Sequence, residues 1–83
     1  MKYDLRFKPR SLKDLKKLPR TTQRQIVDRV ESMSEGLSGD VKRLTQFTPE
    51  YRLRVGSYRV LFEVEGTSIV IYRIRHRKEA YRP

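Results

Sequence analysis

Arginines recur in two short segments of the chain, at spacings that bring them onto one face of a β-sheet. The segments span residues 51–62 and 73–81, and the arginines that share strand parity are Arg52, Arg54, Arg59, Arg73, Arg75 and Arg77. A guanidinium donates two hydrogen bonds in a fixed planar geometry, which suits a phosphate group. The pattern therefore predicts an anion-binding face. The alternative is a face that docks an acidic protein segment and does no chemistry.

The turns between the strands decide which arginines become neighbours. Gly56 and Ser57 predict a two-residue hairpin turn, which sets Arg54 beside Arg59. A three-residue turn at positions 66–68 would set Arg59 beside Arg75. The other pairs of that second hairpin would be Val64 with Val70, Phe62 with Tyr72, Val60 with Ile74, Leu61 with Arg73 and Glu63 with Ile71. A slip of one residue would mix apolar and charged side chains, so the apolar pattern favours this register.

The predicted face concentrates positive charge beyond what folding requires. Like charges opposite each other on a sheet are destabilising, and only Glu63 interrupts the arginines. A phosphate ligand would compensate this repulsion, with an affinity that depends steeply on salt and little on nucleotide sequence.

The C-terminal tail adds an imidazole, an ammonium and a phenol beside the arginines. His76 has the opposite parity from Arg75 and Arg77, so it is predicted to point toward the helices. Lys78 adds a further charge, and Tyr81 is placed to stack on a base or to take part in proton transfer. The alternative for Tyr81 is that it only closes the core.

The composition narrows the classes of partner and site. The chain has 20 Lys and Arg against 10 Asp and Glu, a net charge of +10, which favours nucleic acid, an acidic protein segment or an anionic membrane surface as partner. The absence of cysteine excludes disulfides and thiol chemistry and favours a cytoplasmic location. A single histidine excludes a His-rich metal site, and neither a cofactor motif, a signal peptide nor a membrane span is predicted.

The N-terminal half supplies one strand and two helices. Residues 2–7 alternate polar and apolar, and Pro9 favours the start of a helix that carries Leu12, Leu15 and Leu18 and ends before Pro19. A second helix is predicted from Thr21 or Thr22, with a capping box of Thr22 and Gln25. Its apolar face consists of Ile26, Val27, Val30, Met33 and Leu37.

The remaining chain is predicted to form strands at residues 41–44, 51–55, 58–65 and 69–75. The resulting fold class is α+β: an N-terminal strand, a two-helix antiparallel hairpin, and then three to four antiparallel strands in a twisted sheet with the helices on one face. Residues 1–83 are predicted to form a single domain.

Three stretches of the sequence resemble the RelE/ParE superfamily of toxins. Residues 51–62, with their basic-apolar-basic strand, small turn and Tyr-Arg-Val strand, look like the central segment of RelE-type members. Residues 73–81 resemble the closing His-Arg…Tyr signature of that group, and the Leu-rich first helix with its Pro joint is similar to the helical hairpin. The resemblance covers essentially the whole chain and implies a RelE-like microbial RNase-type fold.

The resemblance implies a toxin of a type II toxin–antitoxin pair that acts as a ribosome-dependent endoribonuclease. RelE-like members cut mRNA in the ribosomal A site by attack of a 2′-hydroxyl on the adjacent phosphate, without a cofactor. The implied partners are a cognate antitoxin, the ribosome and mRNA. Arg59 and Arg77 match phosphate-stabilising arginines, Tyr81 matches the C-terminal tyrosine, and Arg52 and Arg54 match the two basic positions of the central strand. The further RNA-binding candidates are Arg73, Arg75, His76 and Lys78.

One departure concerns the general base. The best-known pattern has lysines where this chain has Arg52 and Arg54, and an arginine does not lose its proton in proteins. Tyr81, His76, Glu63 or a water molecule are the remaining candidates. Two other functions stay open, a ParE-like inhibitor of DNA gyrase and an inactive module that binds only antitoxin or RNA.

Overall fold

The computed structural model describes residues 2–45 and 48–80, and it has the predicted α+β architecture. The elements in chain order are β1 (Asp4–Phe7), α1 (Pro9–Lys16), α2 (Arg20–Met33), β2 (Val41–Arg43), β3 (Tyr51–Val55), β4 (Tyr58–Glu65) and β5 (Ser68–His76). The sheet has five strands in the order β1-β5-β4-β3-β2. β1 runs parallel to β5, and the other neighbouring strands are antiparallel.

Both helices pack on one face of the sheet, as the sequence predicts. Ile26, Val30 and Met33 of α2 are fully buried against Leu53 and Phe62 of the sheet. Leu15 and Leu18, at and after the end of α1, pack against the same core, whereas Leu12 is exposed. The apolar inner face of the sheet thus binds the helices, and its outer face carries the arginines.

The prediction of a capping box at the second helix is wrong. α2 begins at Arg20, directly after Pro19, and it has no side-chain cap. Thr22 and Gln25 therefore lie inside the helix. The side chain of Gln23 instead donates a hydrogen bond to the carbonyl of Leu18, at 2.8 Å, and so ties α2 to the joint before it.

The first hairpin has the predicted register. Gly56 adopts φ 57°, a left-handed conformation that glycine tolerates without steric cost, and the turn of Gly56 and Ser57 pairs Val55 with Tyr58. Arg54 faces Arg59 across these two strands, as expected from the sequence.

The second hairpin corrects the predicted turn. Glu65 pairs with Ser68, so Gly66 and Thr67 form a two-residue turn instead of a three-residue one. The pairs predicted near the turn, Val64 with Val70, Phe62 with Tyr72 and Glu63 with Ile71, are therefore wrong; the observed pairs are Val64 with Ile69, Phe62 with Ile71 and Glu63 with Val70.

An irregularity in the ladder between Leu61 and Phe62 restores the predicted register farther from the turn. Tyr72 is the extra residue of β5, and beyond it Leu61 pairs with Arg73, Val60 with Ile74 and Arg59 with Arg75, as predicted. The physical reason is burial: this arrangement puts the hydroxyl-free side chains of Ile69 and Ile71 in the core and leaves Tyr72 only partly buried.

A carboxylate fixes α1 against the edge of β5. Asp14 accepts hydrogen bonds from Nε and Nη2 of Arg73, at 2.7 and 3.1 Å, and from the backbone N–H of Ile74, at 3.0 Å. Burial opposes ionisation of Asp14, but the hydrogen bonds of Arg73 and Ile74 and the charges of Arg73 and Arg75 outweigh it, so the pKa lies below its ordinary value. β1 pairs with β5 only as far as Ile71, so beyond that point Asp14 supplies the acceptor for the backbone N–H of Ile74 at the strand edge.

Replacing Asp14 should destabilise the fold. We expect Asp14→Asn to lower the free energy of unfolding by roughly 1–3 kcal/mol, because hydrogen bonds to a charged partner are lost and Arg73 stays partly buried without its counter-ion. Urea denaturation measures the change. Asp28→Asn on the exposed side of α2 is the matched control and should change stability by less than about 0.5 kcal/mol. Equal effects of the two substitutions would contradict the role of Asp14.

The same contact should make stability depend on acid pH. Since the folded-state pKa of Asp14 is lower than its unfolded value, the carboxylate stabilises the protein above the unfolded pKa, and this contribution is lost as pH falls through the folded pKa. Urea denaturation between about pH 2 and 6 should therefore show a smaller acid-induced loss for Asp14→Asn than for the wild type. Parallel pH profiles would show that Asp14 is not linked to folding.

Candidate nucleic-acid interface

Three arginines stand side by side across the outer face of the sheet. Arg54 of β3 pairs with Arg59 of β4, and Arg59 pairs with Arg75 of β5. Directly opposed residues have Cβ atoms about 4.5–5.5 Å apart, so three guanidinium-bearing side chains start from adjacent positions. We call Arg54, Arg59 and Arg75 the arginine row.

The central member of the arginine row is fixed by the first hairpin turn. Nη1 of Arg59 donates hydrogen bonds to the carbonyls of Gly56, at 3.0 Å, and Tyr58, at 2.9 Å. These bonds hold the guanidinium in place before any ligand arrives. A charged group that is already oriented loses less conformational entropy when it binds an anion.

A carboxylate that the sequence analysis did not select lies beside the arginine row. Asp40 accepts from Nη1 of Arg52 through Oδ1 at 3.1 Å, and its Oδ2 lies 3.8 Å from Nε of Arg54. The hydrogen bond from Arg52 is the largest influence on the pKa of Asp40, and together with the charges of Arg52, Arg54 and Arg59 it lowers that pKa despite the opposing effect of burial. A signal for it was present in the sequence, because Asp40 follows a glycine immediately before β2.

Two of the arginines predicted for the outer face, the catalytic candidate Arg52 and the RNA-binding candidate Arg73, are engaged by carboxylates rather than gathered into one open cluster. Arg52 is bound to Asp40, and Arg73 is bound to Asp14. Leu61 lies between them in the ladder and is almost fully buried on the outer face. The pairing of Arg73 with Leu61 was predicted, but its ion pair with α1 follows only from the three-dimensional packing.

The end of β5 adds Arg77 and Lys78 next to the first turn. The N–H of Arg77 donates to the carbonyl of Ser57 at 2.7 Å, which continues the pairing of β4 and β5 beyond His76. The side chains of Arg77 and Lys78 are exposed. Tyr81 lies outside the described residues.

His76 points to the helix side of the sheet, as its parity predicts. Its ring packs edge-to-face against Tyr58, with 5.5 Å between centroids, and Tyr58 packs against the core. Nδ1 of His76 accepts a hydrogen bond from the N–H of Lys78 at 3.3 Å.

The other end of the outer face is acidic and aromatic, which the sequence analysis missed. Tyr72, at the bulge, donates to Glu65 at 3.4 Å, and the ammonium of Lys8 lies 5.1 Å from the centre of its ring. Burial, followed by the charge and hydrogen bond of Glu65, raises the pKa of Tyr72. Glu63 accepts a hydrogen bond from the N–H of Glu50 at 3.0 Å, and it lies four residues from Arg59, about 13 Å along the strand.

Within residues 2–45 and 48–80, no three His, Asp or Glu side chains converge as the ligands of a metal ion would. In that same part of the chain, no helix is long and apolar enough to cross a membrane.

Comparison with known proteins identifies the family. The sequence model of the family described as "ParE toxin of type II toxin-antitoxin system, parDE" matches residues 5–81. Toxin RelE3 of Methanocaldococcus jannaschii is 35% identical over 75 residues, which cover 84% of this chain and 85% of the relative. The chain belongs to the RelE/ParE family of type II toxins. This chain is thus a toxin of a type II toxin–antitoxin system, of the RelE family.

Solved structures of RelE proteins share the fold of this toxin. The RelB-RelE antitoxin-toxin complex from Methanococcus jannaschii matches with a TM-score of 0.75 and 32% identity, over 89% of this chain and 92% of that one. The toxin-antitoxin complex RelBE2 from Mycobacterium tuberculosis matches with a TM-score of 0.79 and 28% identity, over 93% and 100% of the two chains. The predicted α+β toxin fold is thus confirmed.

The side chains of the arginine row should contribute little to the stability of the fold. We expect Arg54→Gln to leave the free energy of unfolding unchanged or to raise it by up to about 0.5 kcal/mol, because it relieves repulsion from Arg59 and loses only an exposed ion pair. Arg73→Gln is the matched control on the same face, and it should destabilise by about 1–3 kcal/mol because it breaks the contact with Asp14. Urea denaturation at low and high salt distinguishes the two; a large loss for Arg54→Gln would assign the row a structural role.

Proposed function

We propose that this toxin binds the phosphodiester backbone of mRNA through the arginine row and Arg77, and cleaves it in the ribosomal A site. The observation that carries the proposal is the arginine row itself. Three guanidinium groups at adjacent positions repel one another, and the main hydrophobic core lies on the inner face, not beneath them. A phosphate that passes along the row would convert this repulsion into attraction. In cells, the reaction would take place in the cytoplasm, where ribosomes translate.

The proposed reaction is a transesterification at phosphorus. The 2′-oxygen of the target nucleotide forms a bond to the adjacent phosphorus, the bond to the 5′-oxygen of the next nucleotide breaks, and a proton moves from the 2′-hydroxyl to a base while the 5′-oxygen gains one. Negative charge builds on the non-bridging oxygens during this step. Arg59, which the turn carbonyls orient, and Arg77, at the exposed end of the same hairpin, would stabilise that charge.

Few residues lie where they could transfer a proton in this reaction. Arg52 and Arg54 cannot act as bases because a guanidinium keeps its proton. Glu63 lies about 13 Å along β4 from Arg59, too far to reach a phosphate that Arg59 holds. His76 precedes Arg77 directly, but its ring packs against Tyr58 on the helix side of the sheet, opposite the arginine row. We propose Tyr81 as the residue that stacks on or orients the target base, and Tyr81 or a water molecule as the group that takes the proton of the 2′-hydroxyl.

An antitoxin is the proposed protein partner. RelB-RelE complexes are the form in which relatives from Methanococcus jannaschii, Mycobacterium tuberculosis and Pyrococcus horikoshii OT3 were solved. A net charge of +10 favours a partner with an acidic segment. Such a segment on the outer face would compete with RNA for the same arginines and so neutralise the toxin.

Inhibition of DNA gyrase is the second candidate function. The observation that favours it is the family model that matches residues 5–81, since that model is described by the ParE toxins. In this alternative, the arginine row would contact an acidic protein surface or DNA, and no RNA would be cut.

Cleavage on programmed ribosomes tests the proposed function. Purified toxin is added to ribosomes that carry a defined mRNA, and primer extension maps any cut. We expect cleavage in the A-site codon by wild type, and a loss of about 100-fold or more for Arg59→Ala and Arg77→Ala, since each removes a charge that stabilises the transition state. Arg29→Ala on the exposed side of α2 is the matched control and should cleave as wild type does. Tyr81→Phe tests proton transfer by Tyr81, because only a proton-transfer residue should alter the pH profile of the rate, and His76→Gln, on the opposite face of the sheet, should leave that profile unchanged.

The possible results separate the candidate functions. Cleavage that survives Arg59→Ala and Arg77→Ala would contradict the proposed site. Growth arrest without mRNA cleavage would move the assignment to gyrase, which a supercoiling assay then checks. Neither arrest nor cleavage would leave a module that only binds its partner.

Co-expression tests the antitoxin partner. We expect expression of the toxin alone to arrest growth, and co-expression of the adjacent small open reading frame to restore it, because the antitoxin covers the basic face. Growth measured after induction, with Arg59→Ala as an inactive control, gives the comparison. Unimpaired growth under strong expression of the toxin alone would count against the toxin activity.

A further inference from the structure

Asp40 is held at a defined position by a tight turn. The N–H of Val41 donates to the carbonyl of Gly39 at 3.0 Å, which closes a short turn around Asp40. Gly39 has φ 103°, and a Cβ there would lie 3.2 Å from Cδ1 of the buried Leu53. The backbone next to Asp40 is therefore pinned against the core, and the carboxylate projects from a rigid base onto the outer face.

Asp40 binds the side chain of Arg52 more closely than that of Arg54. The carbonyl of Asp40 accepts from the N–H of Arg54 at 3.0 Å and from Nη1 of Arg52 at 2.8 Å, and Oδ1 accepts from the same Nη1 at 3.1 Å. Arg54 reaches the carboxylate only through Nε, at 3.8 Å. Consequently, the Arg52 side chain is 13% exposed and tightly held, whereas that of Arg54 is 58% exposed and loosely held.

We propose that Asp40 is a positioning residue that assigns the arginines of this face to two roles. Arg52 is retained on Asp40 as a support of the β2–β3 edge, and Arg54 joins Arg59 in binding the phosphate of single-stranded RNA. The inference rests on the proposed function and deepens it, because it names which guanidinium groups contact the phosphate. It differs from the expectation of the family resemblance, in which Arg52 and Arg54 act together.

Charge and geometry both favour this division. A phosphate at Arg52 would have to replace a carboxylate that is already bound to Nη1, whereas Nη1 of Arg59 is bound only to neutral carbonyls. Arg54 gives up only a contact longer than a hydrogen bond. The Asp40 carboxylate also repels a phosphate near Arg52, so the favourable path for the RNA backbone lies toward Arg59 and Arg75, across the sheet from Asp40.

The salt dependence of RNA binding distinguishes the two roles. Fluorescence anisotropy of a single-stranded 2′-O-methyl RNA, which cannot be cleaved, gives the slope of log affinity against log salt, and each phosphate contact adds about 0.7 to it. In the wild-type background, Arg54→Ala and Arg59→Ala should each reduce the slope by about 0.7, and Arg52→Ala should leave it unchanged. Asp40→Asn should raise the slope by about 0.7, because it removes the anionic partner of Arg52 and leaves only neutral acceptors, so that Arg52 can bind a further phosphate.

Two further variants separate positioning from a general effect of charge. Asp40→Glu, which keeps the carboxylate, should restore the wild-type slope, and Arg52→Ala combined with Asp40→Asn should abolish the gain. Asp28→Asn on α2 makes the same change in net charge and should not alter the slope. Circular dichroism checks that each variant is folded; if Asp40→Asn is not, Arg52→Ala in the wild-type background still tests the division.

Two results of the salt titration would contradict the role of Asp40. A slope reduced by Arg52→Ala as much as by Arg54→Ala, or a slope unchanged in folded Asp40→Asn, would refute the role of Asp40. If the wild type binds no RNA, the proposed function fails, and pyrophosphate followed by NMR of the arginine Nε–H groups decides the inference separately. Shifts at Arg54 and Arg59 without a shift at Arg52 would support it, and shifts at Arg52, or at none of the three, would overturn it.

Discussion

Repulsion among the arginines of one sheet face is the constraint on which the rest of this structure depends. The face opposite the helices places Arg54, Arg59 and Arg75 in a row, and the fold has to hold them there. The inner face supplies the stabilisation, with Phe62, Ile71 and the apolar side of α2 buried in one core. Because burial of apolar area is worth about 25 cal/mol per Å², this core outweighs the few tenths to 1 kcal/mol that each like-charge neighbour costs.

Two carboxylates moderate this repulsion at opposite flanks of the sheet, and their surroundings give them different roles. Asp14 is largely buried, with its side chain 14% exposed, and it joins α1 to the edge of β5 through Arg73. Asp40 is exposed and contacts Arg52 and Arg54 beside the arginine row. The buried carboxylate therefore contributes mainly to stability, whereas the exposed one offsets part of the positive charge beside the arginine row.

The chemistry that this toxin can perform follows from the identity of its cations. Arginine binds phosphate through a bidentate fork but does not donate or accept protons in a catalytic cycle at neutral pH. Under the proposed function, a site rich in arginine would orient a phosphodiester and stabilise charge on it, and Tyr81 or water would transfer the proton. The turn of Gly56 and Ser57 connects these tasks, since it orients Arg59 and pairs with the backbone of Arg77.

The sequence by itself determined the α+β class, the first hairpin and the identity of the outer arginines, because these depend on period-two alternation and on local turn chemistry. It did not determine the second turn, because Val70 and Tyr72 fit the apolar pattern as well as Ile69 and Ile71 do, and only packing chose the isoleucines and placed a bulge at Tyr72. The partners of Arg52 and Arg73 were also decided by tertiary structure. Asp40 and Asp14 lie 12 and 59 residues from them in the chain, and pattern within one segment carries no information about contacts between segments.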